Sequence, residues 1–140
     1  MDSPQVFIDE VVDFHVAVTD VLSGAAPDRD AAISALLDRF DPEFTMIPPS
    51  GALLRIAELR NLFENGFGAK PGLQIDVFDI EVIAATAQGG LVGYQERQQD
   101  PTGTTLRRST AWFGLDGNRV RWRRLQETFS PQAAPTSSVR

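Results

Sequence analysis

Between Leu73 and Phe129 the sequence reads as four consecutive β-strands joined by three tight turns, and this stretch decides most of what the chain can become. The turns are Gln88-Gly89-Gly90, Asp100-Pro101-Thr102-Gly103 and Asp116-Gly117-Asn118, built from residue types that accept turn backbone cheaply. Between them lie Leu91–Gln99, Thr104–Leu115 and Arg119–Phe129, each of strand length. The first strand runs from about Leu73 to Ala85. It alternates Leu73, Ile75, Val77 and then Phe78, Ile80, Val82, so its apolar parity switches between Val77 and Phe78. A β-bulge there restores one continuous buried face and bends the strand.

The residues before this meander read as helices. Ser3-Pro4 supplies a hydroxyl cap and a proline at the first helical position, where its missing N–H costs nothing. Phe7, Val11, Phe14, Val18 and Val21 then recur at helical spacing, and Gly24 suits the stop. Asp28 caps a second helix with the stripe Ile33, Leu36, Leu37 and Phe40, ending at Asp41-Pro42. Phe44 to Ile47 is a brief strand closed by Pro48-Pro49, and Ile56, Leu59, Leu62 and Phe63 mark a third helix ended by Gly66 and Gly68. Three helices followed by a bent antiparallel meander predict an α+β domain over residues 1–130, with the helices on one face of the sheet. A sheet curled around the long first helix leaves its open end as a pocket. Residues 131–140 carry almost no apolar bulk and are expected to be disordered.

The 140 residues suit one domain with a sizeable core. No apolar run approaches the ~20 residues that span a bilayer, and the acidic N-terminus lacks the pattern of a signal peptide. With no cysteine in the sequence, disulfides, thiolate metal sites and cysteine nucleophiles are excluded, and the cytoplasm is the expected compartment. Residues 1–66 hold 12 acidic and four basic side chains, and residues 67–140 hold seven and nine. The net charge of −6 argues against nucleic acid as a partner. No membrane partner and no cofactor is expected either. The glycines Gly66, Gly68 and Gly72 follow a helix rather than a strand, so they form no phosphate loop.

His15 is the sole histidine and so belongs to no multi-histidine metal site. It falls within the apolar stripe of the first helix, either as a core histidine or as an acid/base group of the pocket. On Leu91–Gln99 the face with Val92, Tyr94, Glu96 and Gln98 is taken as inward, because Tyr94 needs apolar company and a hydroxyl partner. Glu96 then stands in the cavity, where burial raises its pKa. Strict alternation points Trp122, Arg124 and Gln126 the same way, so a Glu96–Arg124 pair forms, either as a structural ion pair or as a carboxylate clamp. Ser109 is a lesser polar contributor. Arg119, Arg121 and Arg123 share the other face, expected to meet solvent or a second copy rather than nucleic acid.

The order of elements over residues 4–130 resembles the nuclear transport factor 2-like superfamily, in particular its SnoaL-like (polyketide cyclase-like) members. The segments that carry the resemblance are Leu37-Asp38-Arg39-Phe40-Asp41-Pro42-Glu43-Phe44-Thr45 and the hairpin Leu115-Asp116-Gly117-Asn118-Arg119-Val120-Arg121-Trp122. The chain is also similar to the association domain of calcium/calmodulin-dependent kinase. The resemblance implies a cone-shaped, cystatin-like roll, a pocket for a small, largely apolar molecule, and a homodimer packed through the sheets. It implies no single chemistry. Ketosteroid isomerases of this fold carry a carboxylate where this chain has Ile47, and a second acid near Ala111. Dehydratases use histidines, and limonene epoxide hydrolase-like members use acids where Gln99 and Arg124 stand. Those chemistries therefore do not transfer. Two functions remain. One is an acid/base lyase, isomerase or hydrolase using Glu96 and His15, with Tyr94, Arg124, Gln126, Trp122 and Ser109 as ligand contacts. The other is a noncatalytic dimeric binding or assembly module.

Overall fold

The computed structural model describes residues 4–131. Ser3, expected as the first helix cap, and residues 132–140 of the expected tail lie outside the described residues. Helix α1 (Gln5–Ser23) follows Pro4 and ends at Gly24, whose φ of 81° lets its N–H return to the Val21 carbonyl at 3.2 Å. Helix α2 (Arg29–Leu37) starts where the Asp28 carboxylate accepts the Ala31 N–H at 3.1 Å. It stops at Leu37, short of the expected Asp41-Pro42, and β1 (Phe40–Ile47) begins earlier than Phe44. Pro42 is tolerated within β1 because that strand lies at the sheet edge. Helix α3 (Ile56–Gly66) opens with Glu58 reaching back to the Arg55 N–H at 2.7 Å.

Strands β2 (Gln74–Thr86), β3 (Gly89–Asp100), β4 (Gly103–Asp116) and β5 (Arg119–Phe129) form the antiparallel meander. With β1 parallel to β5, the sheet is mixed, open and ordered β1-β5-β4-β3-β2. The fold is thus α+β, three helices against one five-stranded sheet. Among the described residues no helix is long and apolar enough to cross a membrane.

Two of the register slips in the sheet decide which side chains face inward. In β2 the register slips between Phe78 and Glu81, around Asp79 at φ 52°, one step beyond the expected place. Ile75, Val77, Ile80 and Val82 all reach the core as a result. Phe78 pairs with Gln95 on the outer face and lies under the Arg97 guanidinium, 4.8 Å from its ring centre.

The second bulge was not anticipated. Trp112 of β4 pairs with Arg124 and the next residue, Phe113, with Trp122, so Arg123 is the extra residue in β5. Gly114 makes room for it, since a Cβ there would collide with the Arg123 guanidinium. The slip keeps both Trp122 and Leu125 buried although they are three residues apart. It also corrects the expectation that Arg124 and Gln126 share the face of Trp122: beyond the bulge the inward residues are Leu125 and Glu127.

Helix α1 lies on the inner face. Phe7 stacks on Phe113 with ring centres 5.8 Å apart and packs so closely over Gly90 that any side chain there would clash. Phe14 meets Trp122 at 4.4 Å. Trp122 is fully buried, and its indole N–H donates to Glu10 at 2.9 Å. Arg39 closes on both oxygens of the same Glu10 at 2.8 and 2.9 Å, which ties α1 to β5 and to the start of β1.

Candidate functional site

A cavity of about 420 Å³ lies between the inner face of the sheet and the helices. Its walls are mainly apolar: Phe14 and Val18 from α1, Leu59 and Phe63 from α3, Met46 from β1 and Leu125 from β5. Into this apolar space project His15, Glu96, Gln98, Arg107 and Glu127, with Lys70 exposed on the loop between α3 and β2. That loop is anchored by hydrogen bonds from Gly68 to Val21 and from Lys70 to Leu22, so its backbone is tied to the end of α1.

The polar groups form one connected cluster. The His15 ring lies across α1 with Nδ1 donating to the Val11 carbonyl at 2.7 Å, since a carbonyl can only accept. Its Nε2 lies 3.2 Å from Oε1 of Glu96. With Nδ1 already protonated, this contact is a hydrogen bond only when a single proton sits between Nε2 and Oε1. The other carboxylate oxygen of Glu96 accepts from Gln98 at 2.6 Å. On the neighbouring strands Arg107 donates from Nη1 to Glu127 at 3.0 Å. Glu96 pairs with Arg107 across β3 and β4, and Glu127 with Ser109 across β4 and β5.

The two carboxyls are 2% and 6% exposed, yet their environments push them in opposite directions. Burial raises Glu96, but His15, Gln98 and Arg107 together outweigh it and leave the group below its ordinary value. Burial also raises Glu127, the charge of Glu96 adds to it, and Arg107 only partly opposes them. Glu127 is pushed up to about 7. Near neutral pH Glu127 is thus about half protonated while Glu96 is ionised, so one cavity holds two carboxyls of different proton affinity, the separation that acid/base catalysis uses.

Of the residues singled out from the sequence, Glu96 and His15 line the cavity. Tyr94, Ser109 and Trp122 face inward but lie in the packed layer around it. Tyr94 meets the His15 ring edge-on at 5.3 Å, and burial, followed by the charges of Glu96 and Glu127, raises its phenol well above the ordinary value. The Tyr94 and Ser109 hydroxyls are buried without a hydrogen-bond partner. Arg124 and Gln126 face away from the cavity, and Arg124 donates to Thr45 at 3.2 Å instead of meeting Glu96. The expected Glu96–Arg124 pair is absent; His15 and Gln98 are the partners of Glu96. Glu127 and Arg107 were missed. Arg107 shares the strand parity of Ser109, and the three-residue spacing of Trp122 and Leu125 was the faint sign that alternation breaks before Glu127. Among the described residues no group of three or more His, Asp or Glu side chains is placed to hold a metal ion.

No family model and no curated protein sequence matches the chain. Solved structures do. A nuclear transport factor 2-like protein of unknown function from Pseudomonas aeruginosa is 36% identical, with a TM-score of 0.85, over 89% of this chain and 98% of that one. The association domain of calcium/calmodulin-dependent kinase II from C. elegans shares 16% identity at a TM-score of 0.67, over 91% and 99% of the two chains. A candidate aromatic ring hydroxylase from Novosphingobium aromaticivorans shares 15% at 0.66, over 94% of each. At these low identities the last two show the common fold alone. Taken with the order of its elements, the Pseudomonas match establishes that the chain belongs to the nuclear transport factor 2-like superfamily.

Proposed function

We propose that the chain is a SnoaL-like small-molecule protein that performs proton-transfer chemistry, of isomerase, lyase or hydrolase type, on a largely apolar molecule. The observation that carries this reading is the pair of buried carboxyls, Glu96 and Glu127, drawn apart in proton affinity within one mainly apolar cavity. Glu96, in contact with His15, acts with it as the base, and Glu127 is the acid. Such groups contribute about 10²–10⁴-fold each to a proton-transfer rate. A cytoplasmic setting goes with this reading, since a cysteine-free sequence suits a reducing compartment.

The test is exchange of α-protons from a panel of small apolar ketones in D2O, followed by NMR. Wild type should accelerate exchange for at least one member, and Glu96→Gln should lose about 10²–10⁴-fold of it. Exchange no faster than buffer for every ketone would sink the catalytic reading.

A second reading is a noncatalytic dimeric module, favoured by the outer face of the sheet. Trp112 and Ile83 stand half-exposed there, beside Arg123, whose guanidinium lies 5.4 Å from the Trp112 ring centre. Homodimerisation through this face is compatible with either function. Sedimentation equilibrium should give a dimer that Trp112→Glu converts to monomer, and a wild-type monomer would remove the dimer from both readings.

A further inference from the structure

We propose that the molecule held in this cavity is an apolar acid whose single carboxylate docks on Arg107 in place of Glu127, and that Glu127 takes up a proton as it binds. The inference rests on the reading of the cavity as a small-molecule site and adds the chemical class of its occupant.

Arg107 is the starting point. Its side chain is 15% exposed, it spends Nη1 on Glu127 at 3.0 Å, and its Nε is buried without a hydrogen-bond partner. A guanidinium presents five donors in a planar fork that matches a carboxylate through two parallel bonds. The single contact with Glu127 leaves much of that fork unused, and a ligand carboxylate entering from the cavity can engage it more fully.

The charge balance of the cluster points the same way. Glu127 faces Glu96 and Tyr94 from β3, Arg107 from β4 and His15 from α1, while Lys70 lines the same cavity from the loop after α3. Tyr94 is a neutral phenol held so by burial. Glu96 already has its own partners, His15 at 3.2 Å and Gln98 at 2.6 Å, and makes no hydrogen bond to Arg107. Arg107 thus has one positive charge to be matched, by Glu127 or by a ligand. Two carboxylates on one guanidinium, with Glu96 beside them, repel each other, and the protein's own group is the one with an accessible neutral form. Lys70, exposed beside the cavity, attracts an anion from solution. The apolar walls require the rest of the molecule to be apolar.

The test is calorimetric titration with phenylacetate, phenylpropionate, phenylbutyrate and octanoate, and with the primary amide of each. Two buffers of different ionisation enthalpy, at about pH 6 and about pH 8, report the protons exchanged. At least one acid should bind about tenfold or more tightly than its amide, a difference typical of a charge-assisted pair. Because Glu127 titrates at about 7, uptake should be about 0.9 proton per ligand at pH 8 and about 0.1 at pH 6. Glu127→Gln should bind the acid with no proton uptake and with an affinity independent of pH, while Arg107→Gln should erase the preference for acid over amide. Should Arg107→Gln fail to fold, the Glu127→Gln result decides alone. Amides that match the acids, or proton uptake that survives Glu127→Gln, would overturn the proposal and leave the cavity reading standing. Absence of binding by every acid and amide would overturn both.

Discussion

Replacing Glu127 with glutamine tests the electrostatics of the site through the stability of the fold. The carboxyl is 6% exposed, and burial first, then the charge of Glu96, lift it from 4.5 to about 7. A tenfold change in proton affinity corresponds to about 1.4 kcal/mol, so this displacement corresponds to about 3 kcal/mol. Between pH 4.5 and 7 the folded chain binds more protons at this position than the unfolded chain does. Stability therefore falls as pH rises through that window, and the loss is complete above about 7. Glutamine keeps the shape and the oxygen that accepts from Arg107, but it has no ionised form. At about pH 5 the variant should lead wild type by no more than about 1 kcal/mol. At about pH 8 the variant should be the more stable by up to about 3 kcal/mol, a rise of about 1 M or more in urea midpoint. Urea unfolding followed by tryptophan fluorescence at pH 5, 6, 7 and 8 reads the difference directly. Parallel stability curves for the two proteins across that range would refute the reasoning, because they would mean that Glu127 ionises in the folded state as easily as in water.

Three further outcomes are expected. Glu96 stands below its ordinary value of 4.5, so its stabilising contribution is present above that pH and disappears as pH falls through its folded value. Glu96→Gln should flatten the acid side of the urea-midpoint curve. His15→Phe leaves the buried Glu96 carboxylate with Gln98 alone as its hydrogen-bond partner and should cost about 2–3 kcal/mol at neutral pH, much of it recovered when Glu96→Gln is added. Arg124→Ala, by contrast, should change stability by no more than about 0.5 kcal/mol in urea unfolding and leave acid binding as in wild type, because its side chain lies outside the cluster.

Local chemistry made most of the fold legible. The Asp28 cap, the Gly24 stop and the three turns of the meander act over a few residues and can be read without knowing the tertiary structure. The bulge in β2 was visible because the apolar parity switches between Leu73, Ile75, Val77 and Phe78, Ile80, Val82, although Phe78, expected inward, lies on the outer face. In β5 the same logic was hidden. Near the slip Val120 and Trp122 share one parity and Leu125 alone marks the switch, and the four arginines around them give no parity of their own. Strict alternation then sent Arg124 inward and Glu127 outward, and a one-residue slip reverses both. His15 could be placed on the inner side of α1, yet its partner lies 81 positions away on β3, a distance no local pattern spans. The opposite directions of Glu96 and Glu127 were likewise beyond sequence reasoning. Both are buried, and what separates them is the set of neighbours: His15, Gln98 and Arg107 all favour the charged form of Glu96, whereas Glu127 meets Arg107 and the like charge of Glu96, a matter of angstroms rather than of spacing.

One cavity holds two buried glutamates with opposed proton affinities. Carbon-detected NMR of the side-chain carboxyls, titrated from about pH 3 to about pH 9 in glutamate-labelled protein, addresses it most directly. Seven glutamates are present. One carboxyl resonance should titrate at about 7 and vanish in Glu127→Gln, and one should titrate below the ordinary value and vanish in Glu96→Gln. Seven resonances titrating together in the ordinary range would contradict the account.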